Sequence, residues 1–483
     1  MFVPPQLLYR RSARAARPRW LPQAAMLIIV GLAVSTATHT VFAGKLTEKP
    51  DRPNIVIIVA DDLGYTDLGC FGNKAVKSPH LDRLAEDGVR LTQFYVTWPA
   101  CTPSRASILT GRYPQRNGLY DMIRNDMVNY GHQYTETEYA FSPEMTLGLD
   151  ERERTVAEML HAAGYACGMV GKWDSGRARR YLPLQRGFDF FYGFANTGID
   201  YWTHQRYGIE SMFRGNDRVE EEGYSTDLFG REAIRFVREN RERPFFLYLA
   251  FNAPHGASNL EKDSYQAPPE TLALYPDRDP KSNETEFLAM VTRMDDWIGK
   301  LRATLDELQV AENTLIFFTS DNGGGSAAHN KPLRGSKSSM FEGGLRVPAI
   351  ACLPGKLPRG AVCDEFLTTL ELLPTALRLA GTAAPKDVVL DGFDMLPVLQ
   401  GTAKNPRMTM FWQRRGDRAA RVGNYKWVAT EKGGGLFDLA TDPSETQDFT
   451  SAMPEKAREL EAAFGAWRRE MDAAEPRGPF RDY

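Results

Sequence analysis

Asn54-Ile55-Val56-Ile57-Ile58-Val59-Ala60 is a continuous apolar run that stops abruptly at Asp61-Asp62. A run without polar alternation describes a strand covered on both faces, as in a parallel sheet. Thr314 to Ser320 (TLIFFTS) has the same β-branched and aromatic character and leads into Asp321-Asn322-Gly323-Gly324. Two further runs behave alike: Tyr165 to Val170 leads into Gly171-Lys172, and Phe245 to Phe251 into Asn252-Ala253-Pro254-His255. Helix-like segments lie between them, Thr155 to Ala163 closed by Gly164, and Glu286 to Leu308 with apolar residues at helical spacing. Strand and helix in alternation predict an α/β fold with a parallel sheet.

In such sheets ligands bind outside the carboxyl ends of the strands, where all four polar ends would gather. A solvated turn explains any one such end, but four together are hard to dismiss. Asp61, Asp62, Asp321 and Asn322 offer only oxygen, which suits a hard divalent ion and not zinc or copper. Three carboxylates packed together would repel one another, and a metal would relieve that repulsion. The residues themselves do not choose between Ca²⁺ and Mg²⁺.

The remaining sequence narrows the class. The 483 residues suit one large domain and a smaller one, and 42% hydrophobic with 25% charged residues, 41 Gly and 30 Pro describe a loop-rich globular chain. Arg10, Arg11, Arg14, Arg17 and Arg19 precede an apolar stretch, Ala24 to Val34, and a small-x-small site ending at Ala43. This order predicts a signal peptide over residues 1–43 and an exported protein, periplasmic or secreted; an uncleaved membrane anchor is the rival reading. Cleavage would remove five arginines and no acid, making the net charge of −3 more negative, so nothing electrostatic favours nucleic acid as a partner. Cys70, Cys101, Cys167, Cys352 and Cys363 are too few and scattered for a disulfide scaffold or a zinc cluster. A Cys352 to Cys363 bridge stays open. An odd count leaves a thiol to explain, and Cys101 is the candidate.

Cys101-Thr102-Pro103-Ser104-Arg105 opens a segment that continues to Gly111-Arg112. Pro103 early, Gly111 late and an apolar centre predict a short helix with Cys101 at its N-terminal edge, where the dipole favours an anion. A cysteine nucleophile of depressed pKa or a buried structural thiol would each fit, but neither accounts for Arg105. The stretch resembles the sulfatase family, whose signature is Cys-x-Pro-x-Arg with a following helix. The resemblance extends over most of residues 53 to 450, through Gly171-Lys172-Trp173, Ala253-Pro254-His255, Asp321-Asn322-Gly323, Leu333-Arg334-Gly335-Ser336-Lys337 and Glu342 to Pro348. Leu436-Phe437-Asp438-Leu439 with Asp442-Pro443 is similar to the family's closing strand and turn.

The resemblance implies an alkaline-phosphatase-like sandwich with a large, mostly parallel mixed sheet, residues 44–390, and a smaller C-terminal α+β domain with an antiparallel sheet, residues 391–483. It implies that a formylglycine-generating enzyme oxidises Cys101 to formylglycine (3-oxoalanine), whose hydrate supplies the attacking hydroxyl. Asp61, Asp62, Asp321, Asn322 and an oxygen of residue 101 would then hold Ca²⁺. Lys172 and Lys337 would bind the sulfate, Arg105 the hydrated aldehyde, and His255 would donate a proton to the leaving alcohol. The implied reaction is hydrolysis of a sulfate monoester of a small molecule or carbohydrate. One position departs from the family pattern: a histidine usually follows Gly-Lys-Trp, and here it is Asp174. Asp174 is read as a base that replaces it. A phosphatase or phosphodiesterase of the same fold and a non-catalytic sulfate-ester binder are the alternatives. Asn196 to Phe213, polar and aromatic, suits a substrate loop or a packed connection equally. The choice between carbohydrate and aryl esters, and the oligomeric state, stay open.

Overall fold

The structure is a computed structural model that describes residues 52–124, 132 and 134–478; the expected leader, residues 1–43, lies outside them. The runs at Asn54 and Thr314 form the strands Asn54–Ala60 and Thr314–Ser320, paired in parallel with Ala60 opposite Ser320. On its other side Asn54–Ala60 pairs in parallel with Phe245–Ala250, which pairs in parallel with Ala166–Lys172. The four runs singled out in the sequence are therefore four adjacent strands at the middle of one sheet.

Across that sheet the order is Ala361–Cys363, Val89–Tyr95, Arg346–Cys352, Thr314–Ser320, Asn54–Ala60, Phe245–Ala250, Ala166–Lys172, Phe190–Phe194, Met212–Arg214 and Asp217–Arg218. Arg346–Cys352 runs antiparallel to both neighbours, as Met212–Arg214 does to Phe190–Phe194, so the sheet is mixed but parallel at its centre. Alternate residues of the first strand feed two cores. Ile55, Ile57 and Val59 pack in one with Leu109, Leu160 and Leu373; Val56, Ile58 and Ala60 pack in the other with Leu84, Phe229 and Met294. Helices Cys101–Thr110, Val156–Ala162 and Leu372–Leu379 thus cover one face, and Pro79–Asp87, Ser225–Asn240 and Asn283–Glu307 the other.

Helix Val156–Ala162 starts where its sequence says it should, because Thr155 and Glu158 form a reciprocal capping box. Apolar spacing from Leu367 to Ala380 in the sequence reads as a helix, but the helix starts only at Leu372. Leu367–Thr368 instead adds a short parallel strand to Phe94 and Tyr95, and the Thr368 hydroxyl caps the turn that follows. Toward the C-terminus, Thr409–Arg414, Asp417–Val422, Tyr425–Thr430 and Gly433–Asp438 form a four-stranded antiparallel sheet, followed by the helix Pro454–Ala473. Trp412, Val428, Leu436 and Trp467 join the first of the two cores, so this sheet is packed onto the main body. All five cysteines are free thiols, Cys352 and Cys363 included. Among the described residues no helix is long and apolar enough to cross a membrane.

Gly171 controls the last step of the strand that carries Lys172. Its φ is +99°, and a Cβ there would stand 1.9 Å from the Ala250 carbonyl oxygen. Gly171→Ala is expected to cost about 3 kcal/mol, from a left-handed backbone forced on a non-glycine residue and an overpacked strand pair. Denaturant unfolding of purified protein measures it, and a loss below about 1 kcal/mol would contradict this account.

Candidate active site

The helix Cys101–Thr110 begins at the cysteine, after Ala100 in an extended conformation, and ends at Gly111 in the left-handed region, φ +64°. Its first turn points at the carboxyl edge of the sheet. Cys101 Sγ lies 3.5 Å from Asp61 Oδ1 and 3.4 Å from Lys337 Nζ. The structure therefore gathers every sequence-selected residue, Asp61, Asp62, Cys101, Arg105, Lys172, Asp174, His255, Asp321, Asn322 and Lys337, around one buried centre.

The three carboxylates there are packed against three cations. Lys172 Nζ sits 2.6 Å from Asp61 Oδ2, and both side chains are fully buried. Arg105 places Nε 2.8 Å and a terminal nitrogen 2.7 Å from Asp321 Oδ2, with a longer 3.6 Å approach to Asp61. Lys337 Nζ spans both Asp62 oxygens at 2.8 and 2.9 Å. Lys172, Arg105 and Lys337 therefore also counter the repulsion among these carboxylates, alongside the metal that the sequence reading expects. Composition alone did not reveal these pairs, because their members are far apart in the chain.

Environment sets the protonation of each group. Burial would raise Asp62, but Lys337 and His255 outweigh it and hold its pKa well below the carboxylate range. Burial would lower Lys172, but Asp61 more than restores its charge. Burial pushes the Cys101 thiol up, against the pull of Lys172 and Lys337, so the unmodified thiol is a poor thiolate. Burial, aided by the charge on Lys337, lowers His255 to about 3. Its Nδ1 lies 2.6 Å from the Gly256 carbonyl, which can only accept, so Nδ1 carries the ring proton. Nε2 is left bare, 3.6 Å from Asp62 Oδ2.

Asp174 is 1% exposed and has φ +49°. Burial raises its pKa to about 6, while Lys172, Arg105 and the hydrogen bond from Thr102 moderate the shift. Thr102 Oγ1 donates to Oδ1 at 2.8 Å, whereas Oδ2 has no hydrogen-bond donor and lies 3.8 Å from Lys172 Nζ. Thr102 was not singled out in the sequence, although it directly follows the cysteine. Above the centre, Trp98, Thr197, Tyr207, Ser258 and Arg414 join the wall of a cavity of about 120 Å³ that reaches Cys101. Thr197 and Tyr207 belong to the loop read as a substrate candidate. Trp98 and Arg414 carry no local signal, because only tertiary folding brings them there.

A cationic mouth over buried carboxylates at the carboxyl edge of a parallel sheet is a site suited to an anionic ligand. The Sulfatase family profile matches residues 53–382. N-acetylgalactosamine-6-sulfatase of Canis lupus familiaris is 35% identical over 402 residues, 78% of this chain and 72% of that protein. Arylsulfatase A of Homo sapiens is 35% identical over 442 residues, 83% and 79% of the two chains. The solved structure of Ps i-CgsB in complex with k-i-k-neocarrahexaose matches with a TM-score of 0.76 at 31% identity, covering 86% of this chain and 92% of that one. The chain belongs to the sulfatase family, enzymes that hydrolyse sulfate esters.

Arg105 tests the packing of the centre. Arg105→Met leaves Asp321 as a buried carboxylate without its forked partner and is expected to cost about 3–5 kcal/mol of stability. Arg105→Lys should recover only part, because one ammonium cannot reproduce the fork. Equal unfolding midpoints for the parent and Arg105→Met would contradict the assignment.

Proposed function

We propose that this sulfatase is exported and calcium-dependent, that a maturation enzyme converts Cys101 to formylglycine, and that its substrate is a sulfate monoester of a small molecule or carbohydrate. The observation that carries the reading is Cys101 at a helix start, touching both Asp61 and Lys337, with the complete Cys-x-Pro-x-Arg sequence around it. The donor set fits a hard dication: ligand atoms of Asp61, Asp62, Cys101 and His255 lie within 4.8 Å of one another, and Asn322 Oδ1 is buried without a hydrogen-bond donor. Asp61, Asp62, Asp321, Asn322 and residue 101 would hold Ca²⁺. When present, the ion supplies Lewis-acid polarisation and the hydrated aldehyde supplies the attacking hydroxyl.

The chain's own groups do the rest. Lys172 and Lys337 bind the sulfate oxygens, and Arg105 orients residue 101. His255 Nε2, unprotonated at rest because Nδ1–H is committed to the Gly256 carbonyl, would take a proton from solvent and pass that proton to the leaving oxygen. Asp174 Oδ2, with no donor of its own, accepts a proton from the side chain of residue 101 and so assists sulfate release. Charge favours sulfate over phosphate. Three carboxylates offset three cations, Asp174 adds one negative charge, and a dication then leaves a single positive charge. That matches a sulfate monoester, which carries one negative charge, better than a phosphate monoester with about two near pH 7. Residues 44–390 carry this machinery, and 391–483 act as a smaller domain that completes its mouth.

Intact-mass analysis of the Cys101 peptide, from a host that matures other sulfatases, is expected to show formylglycine. The same protein should hydrolyse 4-nitrophenyl sulfate in preference to the phosphate, lose activity on chelation and regain it with Ca²⁺. Unmodified thiol, full activity after exhaustive chelation, or preference for phosphate would each overturn the reading. Protein with formylglycine and Ca²⁺ that turns over no sulfate ester would favour the binding alternative.

Asp174 makes a second prediction. A base works deprotonated, so kcat should fall as pH drops through about 6, or lower where a bound dication favours the carboxylate. Thr102→Val removes a hydrogen bond that lowers the Asp174 pKa and should move this acid limb upward. Asp174→Asn should abolish the limb and reduce kcat roughly 100-fold or more, slowing sulfate release more than alcohol release. An unchanged profile and rate would make Asp174 structural only.

A further inference from the structure

Asn196 to Phe213 reads from sequence equally as a substrate loop or a packed connection, and the structure packs its middle against His255. Tyr201 is fully buried, with its hydroxyl 2.8 Å from the His255 carbonyl and 2.9 Å from the Asn252 carbonyl. Carbonyls only accept, so the phenol is the donor to both. The two carbonyls mark the ends of the turn that presents the imidazole, because the His255 N–H also donates to the Asn252 carbonyl at 2.9 Å. We propose that Tyr201, together with Gly198, is a positioning residue for His255, holding the imidazole so that Nε2 faces the oxygen of the departing alcohol. This rests on the reading of His255 as proton donor and deepens it.

Tyr201 is itself anchored. Its ring stacks on buried Tyr224, with centroids 5.3 Å and planes 20° apart. Its N–H donates to the Gln266 side chain at 2.9 Å, and its carbonyl accepts from the Ser225 N–H at 2.9 Å. Next to it, one Asp200 oxygen accepts from the Trp202 and Thr203 N–H groups and the other from the Asn259 and Gln266 amides, all at 2.8 to 3.0 Å. A phenol fixed in this way holds its carbonyl partners in place instead of following them.

Gly198 acts on the ring and not on the turn. A Cβ there would stand 3.4 Å from His255 Cε1, 3.5 Å from Nδ1 and 2.7 Å from Ser258 Oγ, so the segment runs alongside the imidazole. Ser258 is tied to the same segment: its N–H donates to the Ile199 carbonyl at 3.2 Å, and its carbonyl accepts the Tyr207 N–H at 2.9 Å. The ring thus has Gly198 beside Cε1 and Nδ1, the Gly256 carbonyl 2.6 Å from Nδ1 and Asp62 3.6 Å from Nε2. The bond to Gly256 decides which nitrogen is bare. Tyr201 and Gly198 decide where that nitrogen points, and removing the phenol takes a donor from both carbonyls and loosens the turn.

The test measures kcat/KM of mature protein on 4-nitrophenyl sulfate and phenyl sulfate, which differ little in shape but much in leaving group, since 4-nitrophenolate departs without a proton far more readily than phenolate. This parameter reports ester cleavage, so slow sulfate release does not mask the effect. Tyr201→Phe should lower it about tenfold for phenyl sulfate and about twofold or less for 4-nitrophenyl sulfate, a part of the roughly 10²–10⁴-fold that a positioned proton donor supplies. His255→Gln should widen the same ratio further, and Tyr201→Phe should add little in that background, because it acts through the histidine. Gly198→Ala, which crowds the ring and leaves the turn intact, should widen the ratio as well. Equal losses on both esters, or a full Tyr201→Phe effect in the His255→Gln background, would overturn the assignment. If His255→Gln leaves the ratio unchanged, the proton-donor reading fails by itself. In that case, or where neither ester is turned over, ¹⁵N NMR of the histidine rings, with His255 assigned by its loss in His255→Gln, decides the positioning role. A single tautomer protonated at Nδ1 in the parent and a mixture in Tyr201→Phe would support it, and identical spectra would overturn it.

Discussion

Asp61 and Lys172 meet at 2.6 Å with neither exposed to solvent, and the geometry around them follows from that pair. Removing two charges from water costs more than a solvated pair returns, so such an arrangement earns little stability. What it supplies is placement. Asp61 follows the strand Asn54–Ala60 and Lys172 ends the strand Ala166–Lys172, with Phe245–Ala250 between them. Because the three are parallel, their carboxyl ends fall at one level, and a side chain as long as lysine bridges the intervening strand. Fixed charges held this way need no reorganisation when an anion arrives.

The same edge concentrates unfavourable backbone. Asp62 at φ +63° and Asp174 at φ +49° each follow a central strand in a left-handed conformation. A non-glycine residue in that region costs about 1–3 kcal/mol. The surrounding strands can impose it because their registers are locked by apolar faces on both sides. Rigid scaffold and strained edge are therefore one design, in which the core supplies stability that the site consumes.

The same division decides what could be read from sequence. NIVIIVA and TLIFFTS are legible as central strands because burial on both faces removes every polar residue. Val89–Tyr95 was not, since Arg90, Thr92 and Gln93 interrupt the pattern and are only half-buried near the sheet edge. Leu367 reads as helix by local spacing, yet tertiary pairing with Phe94 draws it into the sheet. At the site, residues at strand ends and in the Cys101 helix were legible because strand polarity and motif locate them. The counter-charges on Asp61, Asp62 and Asp321, the hydroxyl of Thr102 on Asp174, and the mouth residues Trp98 and Arg414 were not, because each depends on a contact that only the folded chain makes.

The C-terminal sheet ties the mouth to the catalytic loop. Lys426, on the strand Tyr425–Thr430, is fully buried between Glu342 and Glu445, 2.9 Å from each. Glu445 also accepts the Glu342 backbone N–H at 2.6 Å, and its carbonyl accepts from Arg334 at 3.1 Å. Arg334 and Glu342 bracket Lys337, so the sheet grips both ends of the loop that presents this cation to Asp62 and Cys101. The same sheet carries Arg414 and Arg415 on its first hairpin, and the Gln413 carbonyl accepts from Trp98 Nε1 at 2.8 Å, just before the Cys101 helix. A shift of that sheet would therefore move Lys337, Trp98 and the arginine tip together. Two carboxylates around one buried lysine make such a shift costly, because separating any member leaves an unpaired charge in the interior. Distance between the group that reacts and the groups at the mouth is thus held by this buried ionic junction together with the Trp98–Gln413 hydrogen bond and the apolar packing of Trp412, Val428 and Leu436, which tie the two sheets to one core.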